Sequence, residues 1–264
     1  MVIQEKLGMN SPEQQMAEDN LIYKIYAGSK MYGTNTPESD TDFGGIFIPN
    51  KDYIIGLKRC DQVEIGTKKP SVTKKNTMED TDYTVYSLPK FIHLAVGNNP
   101  NIIEYFFAPI NCILKQTNFG AHLIKNYPLF ISKKSYHTFK GYAYQQRKKL
   151  ILKRENMTGR VELIKKHGYD TKYASHLLRM LIEGQQILSE GLISLPLPQN
   201  TLIRDVKLGA YSLDWVLNKA EELEKIVDTT YANCKLQNTA DIKKINELQM
   251  NIMETYWNRI EANI

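Results

Sequence analysis

Two aspartates spaced i, i+2, Asp40 and Asp42, stand thirteen or fewer residues beyond a Gly28-Ser29 turn. In an extended segment, residues two apart face the same way, so both carboxylates would point to one side. Hard oxygen ligands from one or two carboxylates, completed by substrate phosphates, are what Mg²⁺ prefers. Glycine lets backbone approach a phosphate closely. Exposed N–H groups and the Ser29 hydroxyl at the start of a short helix would add an anion cradle. Together these residues would hold a nucleoside triphosphate and two metal ions. Each half alone is ordinary turn chemistry, and only the joint pattern is specific.

The elements that must position them are legible on either side. LIYKIYA (Leu21 to Ala27) is a short β-branched and aromatic run bounded by turn residues, which reads as a buried strand. FGGIFIP follows Asp42 as a second strand ending at Pro49. Ser11-Pro12-Glu13 opens a helix ahead of the first strand, with Ser as N-cap and Pro at the first helical position.

The pattern resembles the signature of the DNA polymerase β-type nucleotidyltransferase superfamily. The resemblance sharpens over GSKMYGTNTPESDTDFGGIFIP, SLPKFIHLAVGNNPNIIEYFF, SYHTFKGYAYQQRKK and KHGYDTKYASHLLRMLIEGQQILSEG. These blocks look like the nucleotidyltransferases associated with RNA ligases in RNA-repair gene clusters, in order, from about residue 21 to 215. The resemblance implies an α+β fold: a polymerase β-like core, with a short mixed sheet and flanking helices, followed by an all-helical C-terminal domain. It implies Mg²⁺ or Mn²⁺ held by Asp40, Asp42 and a third carboxylate on a neighbouring strand. DTDYTVYSL is the strand-like segment that offers one, and by resemblance Asp82 is chosen, with Asp80 as the alternative. The implied reaction is transfer of a nucleoside monophosphate from a triphosphate to an acceptor hydroxyl, with RNA as the expected acceptor. A protein-modifying enzyme and a catalytically silent nucleic-acid-binding member of the fold are the alternatives.

Composition sets the outer bounds. The 264 residues suit one large domain or two modest ones, and 42% hydrophobic with 24% charged residues is ordinary for a globular protein. Cys60, Cys112 and Cys234 are scattered and odd in number, which suggests neither a disulfide framework nor a zinc site and fits the reducing cytoplasm. No apolar run approaches the length that spans a membrane. The lysine-rich stretch GTKKPSVTKKNTMED carries no apolar period and reads as a mobile loop. DQVEI before it suggests a third strand. LPKFIHLAVGNNPNIIEYFFAP reads as two helices split at Asn98-Asn99-Pro100, containing a partly exposed His93 and a Glu104 without an assigned role. From about residue 115 the periodicity is helical to the end. The expected division is therefore 1–115 for the nucleotidyltransferase core and 116–264 for a helical domain with a basic, phosphate-binding surface.

Charge concentrates in that second half. The whole chain is only +5, yet Ser132 to Met180 carries thirteen Lys and Arg against three acidic residues. SYHTFKGYAYQQRKKLILKR interleaves aromatic rings with bases, and Arg147, Lys148, Lys149, Lys153 and Arg154 suit a phosphate backbone. On the helix expected after the Asp170 cap, Lys172, His176, Arg179 and Glu183 recur on one face. Lys172, His176 and Arg179 there are expected to clamp a triphosphate.

Overall fold

The structure, a computed structural model, describes residues 11–37, 39–66 and 81–262. Its first elements form where the sequence signals start and stop. Helix α1 (Pro12–Asp19) begins with a complete capping box, in which the Ser11 side chain accepts from the Gln14 N–H and the Gln14 side chain accepts from the Ser11 N–H. Strand β1 (Leu21–Tyr26) runs into the short helix α2 (Gly28–Tyr32). Strand β2 (Thr41–Phe47) follows, and a single 3-10 turn at Lys51–Tyr53 comes after it.

Strands β3 (Gln62–Gly66) and β4 (Thr81–Ser87) are next in the chain. Of the expected loop at 66–80, Gly66 ends β3, and 67–80, with Asp80, lie outside the described residues. Ser87 then caps α3 (Leu88–Val96), and Asn99 caps the single turn α4 (Pro100–Ile103). A strand that periodicity missed, β5 (Ile113–Gln116), precedes α5 (Asn118–Lys125). The remaining helices are α6 (Lys134–Glu155), α7 (Val161–His167), α8 (Thr171–Glu190), α9 (Asn200–Leu208), α10 (Leu213–Ala232) and α11 (Ile242–Glu261).

The sheet has the order β3-β4-β2-β1-β5. Strands β2 and β4 run parallel, and the other neighbours are antiparallel, so the sheet is mixed and the fold is α+β. One face is covered by α1, where Met16, Ala17, Leu21, Phe47, Val63, Tyr83 and Val85 form a buried cluster. Lys24 crosses this face half-buried, paired with Glu18 at 3.3 Å and lying over the Tyr83 ring at 4.1 Å.

The described residues divide into two compact units that are discontinuous in sequence. The first takes those of Met1–Gly97, Ala108–Phe130 and Asp241–Ile264; the second takes Asn98–Phe107 and Ile131–Ala240. A single cut after residue 115 does not produce this division. Strand β5 pairs with β1, the Thr117 N–H donates to the Ile22 carbonyl at 3.0 Å, and both tie α5 to the first unit. The last helix returns as well, with Trp257 Nε1 donating to the Pro49 carbonyl at 2.9 Å. In the other direction, the buried Asn98 side chain accepts from the Ser132 N–H and from the Ser132 and Ser135 hydroxyls, which anchors its segment in the second unit. Helix α8 is the centre of that unit, packed by α6, α9 and α10 and buried along most of its length.

Candidate active site and basic surfaces

Parallel pairing of β2 with β4 puts Asp42 and Asp82 opposite one another in register. One carboxylate oxygen each from Asp40, Asp42 and Asp82 lies within 4.8 Å of the others. Asp40 and Asp42 are half-buried and Asp82 is exposed. Three carboxylates this close repel one another in the absence of a cation. All the donors are hard oxygens, and the cluster opens to solvent, so the residues fit a divalent ion such as Mg²⁺ or Mn²⁺.

Gly28 serves this cluster directly. Its φ of +61° lies in the left-handed region, and a Cβ there would run into the Asp42 carboxylate. The Ala27 N–H donates to the Asp42 carbonyl at 2.9 Å and fixes the end of β1 against the start of β2. Ser29 lies in the first turn of α2, a helix whose N-cap, Ala27, supplies no side-chain hydrogen bond. Two neighbours escaped the sequence reading. Lys30 Nζ donates to Thr41 Oγ1 at 2.9 Å and stands over the Tyr26 ring at 4.6 Å, so it tethers the residue between the two aspartates. A cation directly after the Gly28-Ser29 turn was the available signal.

In the second unit, Asp170 caps α8, accepting from the Lys172 and Tyr173 N–H groups at 3.1 and 3.3 Å. Lys172 and His176 are exposed at its N-terminal half. Arg179 differs from the expectation: it is 4% exposed, and its Nη1 donates to Glu104 Oε2 at 2.9 Å and Glu183 Oε1 at 3.0 Å. The i, i+4, i+7, i+11 face starts at the surface and runs into the core, so its last two members pair internally. Glu104 thereby acquires a structural partner. Burial pushes the Glu183 carboxyl above the usual carboxylate range, against the pull of Arg179.

His176 keeps part of its ring open to solvent while protein surrounds the rest. Burial, then the charges of Arg179, Arg160, Lys172 and Lys207, hold its pKa down at about 3. Arg160 and Lys207 complete a cationic group that the reading of α8 alone did not include. The imidazole is expected to titrate below 6.5 in ring-resolved NMR, and to shift its titration upward when inorganic pyrophosphate is added. Its folded value lies below the free value of 6.5, so the unfolded chain takes the proton first. The group therefore withdraws stability as pH falls through the window from about 6.5 to about 3. An ordinary titration near 6.5 would remove the cationic surroundings from consideration.

The five bases of α6 are not equivalent. Arg147 pairs with Glu221 at 2.7 Å and Glu224 at 3.6 Å, and Arg154 Nε donates to the Gly168 carbonyl at 3.1 Å. Lys148 and Lys149 are exposed, and Lys153 is half-buried. Among the interleaved rings, Phe139 is core, Tyr136 stacks on Tyr231 with centroids 4.1 Å apart, and Tyr144 is exposed. His93 is exposed on α3. Among the described residues, no helix is long and apolar enough to cross a membrane.

Residues 2–255 match the family model for the RNA repair pathway DNA polymerase β family, RlaP. An uncharacterized 38.9 kDa protein of Enterobacteria phage T4, from the nrdC-mobD intergenic region, is 37% identical over 95 residues. That alignment covers 36% of this chain and 27% of the phage protein, so the chain spans about a quarter of that relative's length. Among solved structures, the nucleotidyltransferase-like protein from Exiguobacterium sibiricum 255-15 aligns at 10% identity with a TM-score of 0.30, covering 87% of this chain and 75% of that one.

Proposed function

This chain belongs to the RNA repair pathway DNA polymerase β family and is a nucleotidyltransferase, and on that premise we propose that it moves a nucleoside monophosphate from a triphosphate to a hydroxyl at an RNA end, releasing pyrophosphate. The observation that carries the reading is the meeting of Asp40, Asp42 and Asp82 at the ends of two parallel strands, beside a glycine that leaves room for a carboxylate. Divalent ions, Mg²⁺ or Mn²⁺, would supply Lewis-acid stabilisation of the charge that develops on the phosphates.

The chain's own residues have separable parts in this reaction. Asp40 and Asp42 would hold the ions that neutralise the triphosphate, with Lys30 keeping their shared segment in place through Thr41. Asp82, the exposed member, completes the ligand set and steers the proton of the attacking hydroxyl. Gly28 and Ser29 offer backbone amides to phosphate oxygens. The second unit contributes two basic surfaces. Lys172 and His176 receive phosphate groups, and Lys148, Lys149 and Lys153 of α6 follow an RNA backbone.

The test is a screen of the four labelled triphosphates with Mg²⁺ or Mn²⁺ against total RNA and total protein. Metal-dependent label on RNA is expected. Label confined to protein would replace the RNA acceptor with a protein hydroxyl, and no incorporation with any triphosphate would defeat the activity itself.

The α6 surface has its own readout. Replacing Lys148, Lys149 and Lys153 together by Ala is expected to weaken RNA binding and flatten the slope of log K against log salt by about 2, because three fewer phosphate contacts release fewer counterions. An unchanged slope would take this helix out of the RNA interface.

A further inference from the structure

The first unit contains a second chemically equipped hollow, at the other end of its strands. Asp42 adjoins Ala27, where β1 ends, whereas this hollow opens against Leu21 and Ile22, where β1 begins. Five residues of extended chain separate the two regions, roughly 16 Å at ~3.3 Å per residue. The cavity holds about 240 Å³ and is bounded by the ends of α1 and α11, the edge strand β5 and the start of α5.

Three kinds of group converge on it. Lys115 and Arg259 bring cations to its rim. Helix α5 also starts there, its N-cap Thr117 accepting from Gly120, so the N–H groups of Asn118 and Phe119 at the positive end of the helix share the same edge. The rings of Phe119 and Tyr256 meet edge to face, with centroids 5.4 Å apart and planes at 75°. That arrangement gives a planar guest an aromatic wall to pack on. Asp19 places a carboxylate acceptor on the same lining. Burial, and then the charge of Asp19, raise the Tyr256 hydroxyl above its ordinary pKa, which keeps it a proton donor at neutral pH.

An anion held by two cations and a helix start, a flat ring against aromatic side chains, and an N–H or O–H received by a carboxylate describe one ligand class. We propose that this cavity is a second nucleotide site, which takes a single nucleoside monophosphate unit, either free or as one residue of a bound strand. The volume lies below the ~300 Å³ at which drug-sized pockets begin, so it admits one base with its immediate substituents and not a stacked pair. The site is distinct from the acidic centre and uses none of its residues.

The test uses the full-length chain carrying Asp40→Asn and Asp42→Asn, in EDTA, so that nucleotide held by metal at the acidic centre does not contribute. AMP and UMP serve as free ligands and a hexa-adenylate as the strand, read by saturation-transfer NMR and by titration of the Phe119 and Tyr256 ring resonances. Binding that moves these resonances is expected. Lys115→Ala with Arg259→Ala, two exposed positions, should weaken it at least tenfold, and Arg259→Lys should retain part of it. If only the hexa-adenylate moves the rings, and the same pair weakens it, the occupant is a nucleotide of the strand; if AMP or UMP does so alone, it is a free nucleotide. Ring resonances indifferent to all three ligands, or binding indifferent to the Lys115 and Arg259 changes, would overturn the proposal. Labelled-nucleotide transfer by the wild-type chain reports separately on the acidic centre.

Discussion

Asp40→Asn and Asp42→Asn are each expected to reduce nucleotide transfer by about a thousandfold or more while leaving the melting temperature unchanged or slightly raised. Metal-assisted charge stabilisation in phosphoryl transfer supplies several kcal/mol, and about 4 kcal/mol corresponds to a thousandfold. Neither carboxylate is part of the buried core. Both side chains are only half-buried, and three carboxylate oxygens within 4.8 Å repel one another until a cation arrives. Removing one charge relieves that repulsion. Steady-state transfer with Mg²⁺ and thermal unfolding in EDTA, measured on the same preparations, separate the two effects. An active Asp42→Asn enzyme would sink the metal assignment, and an inactive but unfolded one would leave the carboxylates with a structural role instead. Asp82→Asn should lose turnover to a similar degree while keeping part of the triphosphate binding, since its neighbours Asp40 and Asp42 persist.

The second large effect is on stability. Arg179→Met is expected to cost about 3–5 kcal/mol in urea unfolding at pH 7, because it leaves Glu104 and Glu183 buried without their counter-charge. The two carboxyls would then take up protons in the folded state before they do so in the unfolded chain. The variant's deficit should accordingly shrink as pH falls toward 4, since stability rises on acidification wherever the folded state holds more protons. Adding Glu104→Gln and Glu183→Gln should restore part of the loss, because no uncompensated charge is then buried. Were Arg179 instead a direct triphosphate ligand, Arg179→Met would lose turnover at full stability.

That contrast marks where sequence reading reached its limit. The local signals were legible: Ser11 and Pro12 start α1 and Asp170 starts α8, and their chemistry lies within three residues of the helix each begins. The helical segments after residue 117 follow the same local rules. Side chains that depend on distant partners were not legible in this way. Arg179 reads as a surface cation from its neighbours Lys172 and His176, and only Glu104, 75 positions away, shows it to be internal. Strand β5 is four residues long with one apolar pair, too short for a period, and exists because β1 offers it an open edge. Asp42 and Asp82 could be matched as candidates through resemblance, but their register comes from parallel pairing across a forty-residue separation, which no local pattern encodes.

The bond from Trp257 to Pro49 joins positions 208 residues apart, and this has a temporal side. On the ribosome, the second unit is fully synthesised before α11 emerges, so a helical body can form while the sheet-bearing one still lacks its last piece. Until α11 packs on α3 and α5, Ile245, Leu248, Ile252 and Met253, all buried in the finished fold, lack that cover. Closure of the first unit thus waits for Asp241–Ile264, which follow the whole of the second unit in sequence, a long-range pairing of the kind that slows folding.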